Sequence, residues 1–215
     1  MTKLAVFDLD GTLADTLRDL GTAMNEALAS EGLPGYPLEA YRQLVGNGID
    51  RLVRDAMANR CTADGAVRVK AAFQAYYADH CMDFTTAYDG IDRLLARLTE
   101  DGIMTAVISN KPNVFVPAIL QKLYPGHRFT YAWGQQERFP RKPSPESLNA
   151  LIALCGCEKH ETLYIGDSNV DVVFAHNAGV KVCGVSWGFR GAGELRQAGA
   201  DRIVNSAEEL YDVIQ

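Results

Sequence analysis

Lys3-Leu4-Ala5-Val6-Phe7-Asp8-Leu9-Asp10-Gly11-Thr12 is the stretch on which the fold of this 215-residue chain turns. A short apolar run leads directly into two carboxylates two residues apart, and then into Gly-Thr. Side chains alternate faces along an extended backbone, so Asp8 and Asp10 project to one side while Phe7 and Leu9 point to the other. Two like charges held that close repel unless a cation lies between or beside them. Gly11 permits a sharp turn at the strand end, because it tolerates positive φ. Taken alone, the stretch also reads as a strand closing in a polar turn, for which Asp, Gly and Thr are ordinary residues. Three later stretches supply the partners that the carboxylate pair needs.

Beyond that strand the chain changes character twice. From Asp15 to about Cys81 the periodicity is helical, with Leu17, Leu20, Met24, Ala27 and Leu28 on one face of a first helix. Gly32-Leu33-Pro34-Gly35 ends it, and Gly46-Asn47-Gly48 interrupts the pattern again before Ile49, Leu52, Val53 and Met57 resume it. A longer helical stretch carries Ala66, Val69, Phe73, Tyr76 and Tyr77. From Tyr88 onward, strands expected at 103–109, 129–133, 162–166, 180–185 and 202–204 alternate with helices expected at 91–98, 114–123, 147–154 and 170–178. That alternation predicts an α/β fold, a Rossmann-like parallel sheet with helices on both faces. A compact helical unit is inserted after the first strand. The expected division is a core of residues 1–14 and 85–215 and a helical unit of residues 15–84.

Composition narrows the function classes. Hydrophobic residues at 47% and charged residues at 22% are ordinary for a soluble globular chain. A net charge of −6 gives no basic surface for nucleic acid. No apolar run approaches a membrane span, and the chain enters a strand at once, without a basic-then-apolar leader. Cys61, Cys81, Cys155, Cys157 and Cys183 are odd in number and scattered, which suits a reduced, cytoplasmic protein.

In a parallel sheet the binding crevice lies at the carboxyl ends of the strands, so the residues after each strand carry the chemistry. Ser109-Asn110-Lys111-Pro112 offers a hydroxyl, an amide and, if a helix starts there, free N–H groups for an anion. Lys142, braced by Pro143, can present a fixed positive charge to a phosphate. Gly166-Asp167-Ser168-Asn169-Val170-Asp171 puts two carboxylates four residues apart at a helix start. Either of them could also serve as a helix cap. Three carboxylates together gather a hard divalent cation, best matched to magnesium. A magnesium ion with fixed donors around an anion is what phosphoryl transfer requires.

Asp8-Leu9-Asp10-Gly11-Thr12-Leu13, Ser109, Lys142-Pro143 and Gly166-Asp167-Ser168 with Asp171 resemble the four motifs of the haloacid dehalogenase-like phosphatases, in order and over the whole chain. The inserted helical unit, residues 15–84, resembles that family's small helical cap. Within the family, Asp15-Thr16, Gly46-Asn47-Gly48, Ser109-Asn110-Lys111 and Asn177-Ala178-Gly179 with Gly184-Val185-Ser186-Trp187-Gly188 are most similar to the phosphoglycolate phosphatase subgroup. The resemblance implies Asp8 as nucleophile, Asp10 as general acid and base, and Thr12 as the residue that positions Asp10. It implies Ser109, Asn110 and Lys142 on the phosphoryl oxygens. Magnesium would be held by Asp8, the Asp10 backbone carbonyl and Asp167, with Asp171 orienting that shell or approaching it. The leaving group would be read by Lys111 and by the Gly46-Asn47-Gly48 loop. The expected ligand is a small phosphorylated metabolite, best matched to 2-phosphoglycolate, and the expected assembly is a monomer or homodimer. Competing readings are a sugar-phosphate phosphatase or phosphomutase of the same fold and, from another class, a non-catalytic phosphate-binding regulator.

Overall fold

The apolar run at the start of the chain forms β1 (Leu4–Phe7), and its alternation sorts the two faces of the sheet. Leu4 and Val6 enter one buried cluster, while Ala5, Phe7 and Leu9 enter another. The structure, a computed structural model, describes residues 1–58, 60 and 62–215, so Cys61 lies outside the described residues. Gly11 turns the chain with φ of +82° into β2 (Ala14–Asp15). Four helices follow: α1 (Leu17–Ser30), α2 (Tyr41–Leu44), α3 (Ile49–Met57) and α4 (Ala63–His80). The chain returns through β3 (Thr86–Ala87), antiparallel to β2.

The remainder alternates: α5 (Ile91–Glu100), β4 (Met104–Pro112), α6 (Val116–Leu123), β5 (Tyr131–Gln135), α7 (Glu146–Cys155), β6 (Thr162–Gly166), α8 (Asn169–Ala178), β7 (Lys181–Val185), α9 (Gly191–Ala198), β8 (Arg202–Val204) and α10 (Ala207–Ile214). The six-stranded sheet has the order β5-β4-β1-β6-β7-β8, with every pair parallel. The α/β fold expected from the sequence is therefore observed. Apolar residues of α5, α6 and α10 cover the Phe7 face, and those of α7, α8 and α9 cover the Val6 face. From β1 the sheet grows outward one way through β4 and β5, then crosses to the other side at β6. The crevice of such a sheet forms at this switch point.

The helices α1 to α4 bury a cluster of their own, with the expected stripe of Leu17, Leu20, Met24, Ala27 and Leu28 meeting Val69, Phe73 and Tyr77 across the α1–α4 contact. Phe189, from the loop after β7, completes it. Most strand and helix bounds differ from the expected ones by one or two residues. Three features went unanticipated: the β2–β3 ribbon, and helices α9 and α10. The glycines at 191 and 193 conceal α9 in the sequence. A larger difference concerns Ser109 to Pro112, expected at a helix start. They continue β4, and α6 begins only at Val116. The β4–β5 register shifts between Ile108 and Pro112, and an irregularity of this kind re-aims side chains near a site.

Asp19 fastens the start of α1 to the returning chain. Its buried carboxylate accepts hydrogen bonds from the Phe84 N–H at 3.0 Å, the Thr85 N–H at 2.8 Å and the Thr85 hydroxyl at 2.6 Å. Truncation would leave those donors unpaired in a dry setting. Asp19→Ala is expected to lower the unfolding free energy by about 3 kcal/mol in a urea titration, and a change near zero would contradict this role.

Candidate active site

The carboxyl ends of β1, β4 and β6 bring the motif residues together. Asp8 lies one residue past β1, and its N–H donates to Ile165 O at 2.9 Å, which fixes it against β6. It is only 6% exposed. Asp167 follows β6 directly and is also buried, with Oδ2 accepting from the Phe189 N–H at 2.6 Å. A side chain at Gly11 or at Gly188 would collide with Asp167, so the two glycines let the backbone close around this carboxylate. Oxygens of Asp8, Asp167 and Asp171 lie within 4.8 Å of one another.

One ammonium group answers this cluster directly. Lys142 Nζ is 3.0 Å from Asp8 Oδ1, 2.7 Å from Asp171 Oδ1 and 3.0 Å from the Tyr164 hydroxyl. The Asp8 contact is an ion pair without hydrogen-bond alignment, so Oδ1 of Asp8 has no hydrogen-bond partner. Burial alone would push the Lys142 ammonium down, but Asp171 and Asp8 outweigh it and hold the pKa above the ordinary lysine value. Asp8 is pushed up to about 7, chiefly by burial, with Lys142 opposing and Asp171 and Asp10 adding to the rise. Burial, then Asp171 and Asp8, push Asp167 well above the carboxylate range. A divalent cation would relieve this repulsion. Its donors are at hand in buried oxygens of Asp8 and Asp167, one of the Asp8 oxygens being without a hydrogen bond.

Asp171 has a different setting. Its Oδ2 accepts from the Ser168 N–H at 3.1 Å and hydroxyl at 2.6 Å, completing a capping box at the start of α8. Its Oδ1 faces Lys142 and Tyr164. Capping and site support are thus combined in one carboxylate, and both of its oxygens already have protein partners.

Asp10 is held apart from the cluster. Its Oδ1 accepts from the Thr16 hydroxyl at 2.6 Å and from Lys111 Nζ at 2.8 Å. Thr16, not Thr12, therefore positions Asp10. The buried Thr12 hydroxyl has no hydrogen-bond partner, because the turn at Gly11 carries Thr16 back over Asp10. Burial would lower the Lys111 pKa, yet Asp10 and Tyr77 beside it outweigh that and raise it. Ser109 is buried, and its hydroxyl accepts from the Lys111 N–H at 3.3 Å. Asn110 was expected on phosphoryl oxygens, but its side chain is engaged otherwise. Its Oδ1 accepts from Lys142 N–H at 2.9 Å, and its Nδ2 donates to Lys142 O at 3.3 Å and Gly46 O at 3.1 Å. It braces the lysine loop and touches the helical unit.

A cavity of about 30 Å³ lies between the helices and the sheet end, lined by Asp8, Asp10, Ser109, Lys111, Gly46 and Gly48 among others. Asn47 is not among its lining residues. Further contacts cross the boundary: Arg141 pairs with Asp50 and lies against Gly48, and Arg190 donates to Val45 O at 2.8 Å. Thr16, Tyr77, Tyr164, Gly188 and Arg190 were not singled out as site residues in the sequence. Only Thr16 and Gly188 lay within quoted motifs.

A family profile described as haloacid dehalogenase-like hydrolase matches residues 5–185. Phosphoglycolate phosphatase 1 of Pseudomonas aeruginosa is 33% identical over 98% of this chain and 79% of its own length. The phosphoglycolate phosphatase of Mannheimia succiniciproducens is 32% identical over 99% of this chain and 98% of its own. Among solved structures, a protein of Lactobacillus delbrueckii subsp. bulgaricus superposes with a TM-score of 0.95 at 33% identity, covering 100% of this chain and 99% of that one. CbbY from Rhodobacter sphaeroides, solved in complex with phosphate, gives 0.78 at 26% identity over 98% of this chain and 96% of that one. Among the described residues no helix is long and apolar enough to cross a membrane.

The raised Asp8 value fixes a direction. With no cation bound, the folded state holds this proton more tightly than the unfolded chain, so the group's contribution to stability falls as pH rises from the ordinary carboxylate range through about 7. Magnesium should therefore raise the thermal midpoint more near pH 8 than near pH 5, and less in Asp167→Asn. Equal gains at both pH values would contradict a cation site on these carboxylates.

Proposed function

The chain belongs to the haloacid dehalogenase-like hydrolase family, and from that premise we propose that it is a magnesium-dependent phosphomonoester hydrolase using Asp8 as nucleophile, with 2-phosphoglycolate as its substrate. The observation that carries the reading is the division between two neighbouring carboxylates. Asp8 carries an oxygen with no hydrogen bond, 3.0 Å from an ammonium, while Asp10 is tethered by Thr16 and Lys111. The first is free to form a bond. The second is oriented to move a proton.

In this mechanism an Asp8 oxygen attacks phosphorus and the ester P–O bond breaks, giving an aspartyl phosphate. Asp10 gives a proton to the departing alkoxide, then takes one from the water that attacks the phosphoryl group and frees Asp8 and phosphate. Lys142 offsets repulsion between Asp8 and the incoming phosphate, and Asp171, Tyr164 and Asn110 hold Lys142 in place. The Ser109 hydroxyl meets a phosphoryl oxygen. A magnesium ion held by Asp8, Asp167 and the Asp10 backbone carbonyl would neutralise charge on the phosphoryl oxygens. Residues 15–84 act as a cap over the core of 1–14 and 85–215. The cavity beneath has room for only a water or two, so the ester enters with the cap displaced, and closure then excludes bulk water.

A panel of phosphate esters that includes phosphoglycolate and hexose phosphates, assayed with magnesium, tests the assignment. Phosphoglycolate is expected to give the highest kcat/KM, and preference for a hexose phosphate would overturn the substrate while leaving the phosphatase. Asp8→Asn should abolish turnover. Asp10→Asn should lose roughly two to four orders of magnitude in kcat yet still bind magnesium. Thr16→Val should slow the reaction about tenfold through loss of one hydrogen bond to a charged group. Thr12→Val, by contrast, should change the rate little. The reverse order would return the positioning role to Thr12.

A further inference from the structure

Tyr77 is the polar side chain of the cap that the mechanism leaves unused. It sits on α4, is 1% exposed, and lines the cavity above the sheet end. Its hydroxyl has no hydrogen-bond partner. A phenol buried without a partner is costly, so such a group in a native site calls for a ligand to complete it. Leu20, Leu52 and Phe73, which line the cavity with it, are apolar and offer no partner.

Beside Tyr77 lies Lys111, on β4 of the core. Its ammonium is 4.9 Å from the centre of the Tyr77 ring and 2.8 Å from Asp10 Oδ1. The two polar groups are near enough for the tyrosine to stabilise the charged lysine, yet the hydroxyl makes no aligned hydrogen bond to it. An ammonium carries three donors, and Asp10 takes one of them. An anion between Nζ and the phenol would accept from both.

We propose that Tyr77 Oη and Lys111 Nζ form the subsite for a carboxylate at the far end of the substrate. This rests on the reading of the site as a phosphatase and deepens it by assigning the leaving group's recognition. The arrangement also sets the length of the spacer. Asp10 meets the leaving oxygen, and Lys111 is one hydrogen bond from Asp10, so the carboxylate lies one or two carbons from the ester oxygen. One contact comes from the cap and the other from the core, so only the closed form completes the subsite. A carboxylate therefore favours closure, and an ester without one does not.

The test compares 2-phosphoglycolate with ethyl phosphate, which replaces the carboxylate by a methyl group. Dissociation constants are measured by calorimetry with magnesium on Asp8→Asn protein, and again after adding Tyr77→Phe or Lys111→Gln. Phosphoglycolate is expected to bind more tightly than ethyl phosphate by about tenfold to a hundredfold, the range of one or two hydrogen bonds to a charged group. Each added substitution should remove about tenfold of that preference. Ethyl phosphate affinity reports whether the variant proteins remain folded, and a variant that no longer binds it is replaced by Lys111→Met or Tyr77→Leu. Equal affinity for the two esters, or a preference that survives both substitutions, would overturn the subsite. Turnover by Asp8→Asn would instead remove the covalent mechanism, and the binding comparison would still read the subsite through the non-hydrolysable phosphonate analogues of the two esters.

Discussion

Three buried carboxylates face one buried ammonium at the end of a parallel sheet, and the surrounding structure is arranged to hold that imbalance. Asp8, Asp167 and Asp171 lie within 4.8 Å of one another, and Lys142 reaches Asp8 and Asp171. Charges removed from water persist only when paired and hydrogen-bonded. Lys142 is accordingly fastened by Asn110 through its backbone and by Tyr164 at its ammonium, while Ser168 holds the far side of Asp171. Phe189 and the two glycines close around Asp167. What this shell leaves without a hydrogen bond is the Asp8 oxygen that Lys142 meets only as an ion pair, and in the proposed chemistry an oxygen of Asp8 is the reacting atom.

Residues next to long apolar runs were the legible ones. Asp8 and Asp167 directly follow β1 and β6, whose buried strands stand out in the sequence. Lys142 stands out beside its proline, although its partners do not. Other differences between expectation and structure have specific physical origins. Thr12 and Thr16 both lie near Asp10 along the chain, and only the path of the turn after Gly11 decides between them. Asn110 has the right chemistry for an anion, but the register shift in β4 aims its amide at Lys142 and Gly46. Tyr77 reads as one more position on the apolar stripe with Val69 and Phe73. Its unpaired hydroxyl emerges only when α4 is set against β4.

The helical unit and the core meet through the apolar packing of Phe189 and through polar contacts of two kinds. At the rim, Asp50 pairs with Arg141, and Arg190 reaches the Val45 carbonyl. The Asp50–Arg141 pair is partly exposed, so it contributes little and can open, whereas the Arg190 side chain is largely buried. Inside, Gly46 accepts from Asn110, a residue that also fixes Lys142. The position of the helical unit is thereby linked to the group that faces Asp8. A partly exposed rim pair and an interior contact that reports on the site suit the proposed cap, which admits an ester and then excludes water.

The central claim is that Asp8 forms a covalent bond to phosphorus. It is tested most directly by mixing enzyme, magnesium and a rapidly cleaved aryl phosphate, quenching with acid within the first turnover, and analysing the peptides by mass spectrometry. The account predicts one phosphoryl group on the peptide that carries Asp8, located on that side chain and absent from Asp8→Asn. Release of phosphate at the full rate with no phosphorylated peptide at any time, or with the phosphoryl group on another residue, would contradict it.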